Sequence, residues 1–344
     1  MKPQSPTITV VIPSYNHARY IPDTIRSVLQ QTHPGVHLHI LDDESKDDSM
    51  QVIEQILSTE GNTRCRLHSR PNRGCSQTLN ELISATDTDY VAILNSDDLF
   101  TPDRLERILA LAVPGRSFFG ISMVDFFGDA EPVELDNWRR WYATMLRHNG
   151  WFPTFGFAAV RANFAITSSN FVFSRDLFDR IGGFRDELPL SQDWDFLVRA
   201  LRWVEPVLVP EPLLHYRVHA TNTYRKHVPN RRQEIVRIMD DFVTWANTPN
   251  PNRLAPTPWA WPRFFSVCAR TCQANSGLLL GALLPESFQS PLPPHPGSAL
   301  SPDIEANVVR HWIRNVARDA TEPETDPHSG ARNCARHWAE VATL

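Results

Sequence analysis

The chain has 344 residues, enough for one large domain or two, and its 42% apolar content allows a sizeable core. Aspartate and glutamate (39) outnumber lysine and arginine (34), so the formal net charge of -5 leaves no basic footprint for nucleic acid. The five cysteines show no paired zinc spacing, and Cys268 and Cys272, one helical turn apart, read as packing residues. Met1-Lys2-Pro3-Gln4-Ser5-Pro6 lacks a signal-peptide pattern, and the apolar run over 278–284 is too short to span a bilayer, so the expectation is a soluble, cytoplasmic protein.

Thr7-Ile8-Thr9-Val10-Val11-Ile12 is β-branched and stops at Pro13, the pattern of a buried strand. Ile21, Ile25, Val28 and Leu29 follow at helical spacing, with Pro22 and Asp23 in the first turn. A second strand is expected over 36–41. Ser45 and Asp48 then form a capping-box pattern for a helix with Ile53, Ile56 and Leu57 on its core face. A strand over 65–68, a helix around Leu79, Leu82 and Ile83, a strand over 90–94 and a helix opened by Pro102 continue the alternation. This order predicts a mostly parallel, Rossmann-like α/β sheet with helices on both faces.

Further along, 118–127 reads as strand, 138–157 as aromatic and irregular, and 165–173 as strand-like through Thr167-Ser168-Ser169-Asn170. Gly182-Gly183 marks a turn. Ser191 caps a helix with Trp194, Leu197, Val198 and Leu201 on its apolar face, and 207–216 is extended. A helix over 234–245 and a proline-rich stretch over 249–302 set a domain boundary at 229/230. In the tail, a helix over 304–318 would carry Ile304, Val308, Trp312 and Val316 on one half and Arg310, Arg314 and Arg318 on the other. Such a helix packs on its own domain or rests on an anionic membrane surface; packing is the simpler reading.

Two of the expected strands end in acid-rich turns, Asp42-Asp43 and Asn95-Ser96-Asp97-Asp98. Parallel strands present such turns together at the carboxyl edge, where open α/β sheets bind ligands. Carboxylates gathered there repel each other and a phosphate unless a divalent cation lies between them. The economical reading is a metal–nucleotide site.

The motifs form an ordered series. Val10-Val11-Ile12-Pro13-Ser14-Tyr15-Asn16 is followed by Asp42-Asp43-Glu44-Ser45-Lys46-Asp47, then by Asn72-Arg73-Gly74 with Asn80. Asn95-Ser96-Asp97-Asp98 with Pro102-Asp103, Gly182-Gly183-Phe184, Gln192-Asp193-Trp194-Asp195 and Tyr216-Arg217-x-His219-x-x-Asn222 complete it. Together they resemble the motifs of inverting glycosyltransferases of family 2, over about residues 7–225. The resemblance implies a GT-A domain at 1–229, followed by a helical and proline-rich extension at 230–344. Three positions depart from the family pattern: Glu44 replaces a glycine, and Asn95 and Gln192 each replace an acid.

The resemblance also implies a nucleoside diphosphate sugar donor, UDP-sugar first, held by Pro13, Tyr15, Asp43, Asn72, Asn95 and Ser96. Asp43 has acceptor oxygens for the N3–H of a uracil or thymine, and Tyr15 can pack on the ring; the bland alternative for Asp43 is a solvated turn acid. Asp97 and His219 are the expected ligands of Mn²⁺ or Mg²⁺ across the diphosphate, with Asp98 behind them and His215 structural. Asp193 is the expected general base for the acceptor hydroxyl, and Asp195 its competitor. The acceptor, a glycan, lipid-linked or protein hydroxyl, would enter over 151–170. The rivals are a nucleotidyltransferase, which wants a glycine-rich basic loop where Pro13-Ser14-Tyr15-Asn16 stands, and a non-catalytic binding relative. Donor hydrolysis by purified protein separates the last from an enzyme.

Overall fold

The computed structural model describes residues 5–261, except 62, 150, 151, 153, 224–230, 247, 258 and 259. The expected tail helix over 304–318, Cys268, Cys272 and the run over 278–284 lie outside the described residues.

The first elements are β1 (Ile8–Ser14), α1 (Ile21–Leu29), β2 (Val36–Asp42), α2 (Ser49–Thr59), β3 (Cys65–Ser69), α3 (Cys75–Ser84) and β4 (Tyr90–Ile93). They alternate as the hydrophobic pattern requires. Ile8, Val10, Val11 and Ile12 are fully buried because helices cover both faces of β1. One boundary differs: α2 begins at Ser49, and Ser45 does not cap it. The Ser45 hydroxyl instead donates to Asp42 Oδ2 (2.6 Å) and accepts from the Asn16 amide (2.8 Å), a tertiary use no local pattern announces.

The chain continues through β5 (Leu99–Phe100), α4 (Arg104–Leu109), β6 (Phe119–Gly128), α5 (Pro132–Asn149), α6 (Phe155–Arg161), β7 (Val172–Ser174), α7 (Arg175–Ile181), α8 (Gln192–Ala200), β8 (Val207–Val218) and α9 (Arg231–Ala246). The stretch read as irregular over 138–157 is largely helical. In α5, Trp138, Tyr142, Met145 and Leu146 make an inner stripe, with Trp138 stacked on Phe126 at 5.5 Å. Aromatic side chains have modest helix propensity, which hides this period in the sequence. The stretch over 165–173 contributes only β7 to the sheet. Before it, Ser168–Asn170 forms a 3₁₀ turn, because the Thr167 hydroxyl accepts from the Ser169 amide instead of leaving the backbone to a ladder.

The eight strands form one mixed sheet in the order β3-β2-β1-β4-β7-β6-β8-β5. β3, β2, β1 and β4 are mutually parallel, β6 pairs in parallel with β8, and β7 and β5 run antiparallel to their neighbours. The direction of winding reverses between β1 and β4, which makes their carboxyl ends the switch-point crevice of the sheet. The carboxyl ends of β2, β6 and β8 open on the same edge. Arg104, fully buried, locks the far wall by donating to the Asn170 carbonyl and Oδ1 (3.0 and 2.9 Å). α9 packs on α8, and Trp261 is buried with its ring 5.7 Å from Phe157. No helix among the described residues is long and apolar enough to cross a membrane.

His39 on β2 gives the fold a pH dependence. Burial, with Arg66 beside it, pushes its pKa from 6.5 down to about 4. Between those values the unfolded chain takes up a proton that the folded chain refuses. Stability is therefore complete above pH 6.5 and falls as the pH drops toward 4. Relative to pH 8, His39 should cost about 2 kcal/mol at pH 5. Urea unfolding at both pH values should show this loss reduced in His39→Leu; an equal loss in both proteins removes His39 as the cause.

Candidate active site

The turn after β2 separates two adjacent aspartates. Asp42 is fully buried and structural, accepting from the Ser14 hydroxyl (3.1 Å) and from the Ser45 amide and hydroxyl (2.8 and 2.6 Å). Asp43 turns the other way. It is 4% exposed, pairs with Arg70, and accepts from the Arg73 and Gly74 amides at 2.9 Å each. It is thus a buried, fixed acceptor, unlike a solvated turn acid. The Asn72 side-chain amide donates to the Asp43 carbonyl (2.8 Å), which ties the loop after β3 to this turn. Glu44 adopts φ 64°, the left-handed conformation that explains why glycine suits this position. Pro13, next to last in β1, is half-buried, and Tyr15 just beyond the strand is 44% exposed.

The loop after β4 is held by the polar run that the sequence presented as strand-like. The Asn95 side-chain amide donates to Thr167 Oγ1 (3.0 Å), and its backbone amide donates to Ser169 Oγ (2.9 Å). Asp98 accepts from the Ser169 hydroxyl (2.6 Å) and the Arg217 amide (2.9 Å), stitching this loop to β8. Burial, then the charge of Asp97, pushes Asp98 well above the usual carboxylate range. Asp97 stands in front, with Oδ2 2.9 Å from His219 Nε2. A third residue joins them. His17, in the loop after β1, brings a ring nitrogen into a cluster with Asp97 and His219 whose potential ligand atoms lie within 4.8 Å of one another. Two imidazoles and a carboxylate are a chemically suitable donor set for a divalent ion. Burial lowers the His17 pKa against the pull of Asp97, favouring the neutral, ligating form. Ser96, expected at the donor, is 2% exposed and holds His17 Nδ1 at 2.7 Å.

His17 escaped the sequence reading because one histidine in a loop looks structural. The available signal was its place directly after Asn16, at the carboxyl end of a switch-point strand. His215, four residues before His219, faces Asp125 at 3.6 Å, away from this cluster.

Asp193 and Asp195 begin α8 but have different surroundings. Asp195 is 1% exposed and accepts from Arg199 Nε (2.9 Å) and Nη2 (2.5 Å), with Arg185 Nη1 3.4 Å away. Its charge is consumed by structure. Asp193 is half-buried, accepts from the Asn163 side-chain amide (2.8 Å) and the Trp194 amide (2.7 Å), and has no ion-pair partner among the described residues. Desolvation raises its pKa to about 6. Cys75, the first residue of α3, links the two walls. The charges of Asp193, Asp43 and Asp97 all act on its thiol, which desolvation and these carboxylates push up to about 11. The three acids therefore surround the start of α3. Asn80 latches that helix to the turn before α8: its Oδ1 accepts from the Phe184 amide (2.7 Å) and its Nδ2 donates to the Phe184 carbonyl (2.8 Å). Gly183, at φ 77°, must be glycine there: a Cβ would lie 2.8 Å from Asn80 Oδ1. Gln192 pairs with the Ser76 hydroxyl and so braces α8 against α3.

Comparison with known proteins follows this geometry. The family model described as Glycosyl transferase family 2 matches residues 9–182. An uncharacterized glycosyltransferase of Nostoc sp. is 37% identical over 102 residues, which are 30% of this chain and 31% of that protein. The chain thus matches about a third of that curated relative's length. The solved structure of S. aureus TarS in complex with UDP-GlcNAc aligns over 98% of this chain and 90% of that one, with TM-score 0.56 and 13% identity. The mannosyltransferase PcManGT from Pyrobaculum calidifontis, solved with GDP-Man and Mn²⁺, aligns over 91% and 88%, with TM-score 0.53 and 19% identity. At these identities the likeness is one of fold, and the fold is GT-A.

Proposed function

The chain belongs to glycosyl transferase family 2, and from that premise we propose that it transfers a sugar from a nucleoside diphosphate, UDP foremost, to an acceptor hydroxyl with inversion at the anomeric carbon. The carrying observation is the Asp97–His219 pair at the switch-point edge of the sheet, with Asp43 in the turn after the neighbouring strand β2 and Asp193 at the start of α8. Asp43 offers only acceptor oxygens when ionised, which suits the N3–H of uracil and disfavours adenine, whose N1 is itself an acceptor. Tyr15 supplies an exposed ring for the base. Pro13 and Asn72 shape that pocket, and Asn95 and Ser96 brace the loop beneath the diphosphate. A divalent cation, Mn²⁺ or Mg²⁺, held by Asp97 and His219 would neutralise charge on the departing diphosphate.

Across the cleft, Asp193 takes the proton of the acceptor hydroxyl as its oxygen bonds to the anomeric carbon. The bond from that carbon to the diphosphate breaks on the opposite face. A glycan, lipid-linked or protein acceptor would approach along α6 and the segment carrying Asn163. Titration calorimetry checks the donor half. UDP should bind at least tenfold more weakly in EDTA or in Asp97→Ala, and ADP should bind more weakly than UDP. Equal affinity for ADP, or indifference to chelation, removes the pyrimidine–metal reading.

A further inference from the structure

We propose that His17 is a third protein ligand of the donor-site cation, and that with His219 it makes this site select a first-row transition ion, Co²⁺ foremost and Mn²⁺ after it, over Mg²⁺. The inference rests on the cation reading of the Asp97–His219 edge and extends it to a residue outside the motif that suggested it. Ligands bound at about 2.1 Å from one ion lie at most about 4.2 Å apart. The His17, Asp97 and His219 atoms lie within 4.8 Å of one another, so the widest pair needs to close by about 0.6 Å or somewhat more.

Both imidazoles carry the outer hydrogen bonds that orient metal ligands. His17 Nδ1 meets the Ser96 hydroxyl at 2.7 Å, and His219 Nδ1 meets the Thr221 hydroxyl at 2.8 Å. The His17 loop is also braced at three consecutive amides. Asn16, His17 and Ala18 donate to Ser45 Oγ (2.8 Å), Ser49 Oγ (3.0 Å) and Asp47 Oδ2 (3.0 Å), all just before or at the start of α2. Ring packing alone, with Tyr20 and His219 each 5.8 Å from the His17 ring, accounts for a filled space. It does not account for a nitrogen within ligand range of Asp97.

The donor set then explains the tolerance of Asn95. The first acidic position of the motif carries no charge here, and Asn95 is occupied by Thr167 and Ser168. With one carboxylate and two neutral imidazoles, the protein side of the site is nitrogen-rich. Mg²⁺ prefers oxygen ligands and keeps its waters, whereas Mn²⁺ and especially Co²⁺ accept imidazole. Selectivity should therefore depend on His17.

The test uses the full chain with CoCl₂, MnCl₂ or MgCl₂, with and without UDP. Co²⁺ visible absorption and the Mn²⁺ paramagnetic resonance signal report ligation directly. Wild type should bind Co²⁺ and Mn²⁺ at least a hundredfold more tightly than Mg²⁺. His17→Ala and His17→Gln should each lose about ten- to a hundredfold in Co²⁺ and Mn²⁺ affinity, change Mg²⁺ affinity less than about threefold, and alter the Co²⁺ spectrum. Unchanged melting temperatures, or the same loss in both variants, exclude a folding defect. If Asp97→Ala abolishes binding while both His17 variants keep wild-type affinities and spectrum, His17 is no ligand and the cation reading survives. If Asp97→Ala also changes nothing, the cation reading itself fails.

Discussion

Asp193→Asn is expected to keep the affinity of the protein for a UDP-sugar and to lose about a hundred- to ten-thousand-fold in transfer rate, the usual worth of general-base catalysis. Asparagine retains the shape of the side chain: its Oδ1 can still accept from the Trp194 amide, and its Nδ2 can donate to Asn163 Oδ1 once the Asn163 amide turns over. It cannot take a proton. The loss should fall on kcat and kcat/KM together, because the proton moves only as the acceptor oxygen attacks. The pH profile gives a second reading. The ionised carboxylate is the base, and desolvation raises its pKa to about 6. Wild-type turnover should climb about tenfold per pH unit below 6 and level off above it, and the residual rate of Asp193→Asn should lack that limb. A folded Asp193→Asn that turns over near the wild-type rate would place the base elsewhere.

Asp195→Asn is expected to act through stability. Asp195 is 1% exposed and answers two guanidiniums. Arg199 also donates to the carbonyls of Ile181 (2.6 Å) and Gly183 (2.7 Å), so it cannot leave when its partner is neutralised. Arg185 bridges onward to Asp241 on α9. Removing one member of a buried pair strands the other, at a typical cost of 3–5 kcal/mol; Arg185 is part-exposed and screened, so about 3 kcal/mol is the expected size. Calorimetric melting should fall by roughly 5 °C or more, with the turnover of the folded fraction reduced far less than in Asp193→Asn. A melting temperature within a degree of wild type would show that the ion pair contributes little.

Much of this site was legible along the chain because its signals are local. β-branched runs mark buried strands, and a turn after a buried strand must lie at a sheet edge. Those two facts placed Asp43, Asn95 and Asp97 together, and the ordered motifs carried the same inference to Asp193, His219 and the GT-A fold. The long aromatic helix α5 was lost for an equally local reason, since Trp138 and Tyr142 are weak helix formers whose period becomes clear only against Phe126.

Other decisions belonged to tertiary structure. Asp193 and Asp195 share one helical turn and one chemistry; Arg199 and Arg185 make the second structural, while the first meets only the neutral donors of Asn163 and Trp194 among the described residues. Asp42 and Asp43 are adjacent, yet one closes a turn with Ser45 and the other is held by Arg70 and the Arg73 and Gly74 amides. Ser45 has the pattern of a helix cap, but Asp42 and the Asn16 amide occupy it. His17 meets Ser96 across 79 residues, and Asp97 meets His219 across 122. The residues themselves set which groups could bind an ion or take a proton. Which of them are placed to do so is decided by the partners that the sheet's switch point brings within hydrogen-bond reach, and separations of that length leave no periodic trace in the chain.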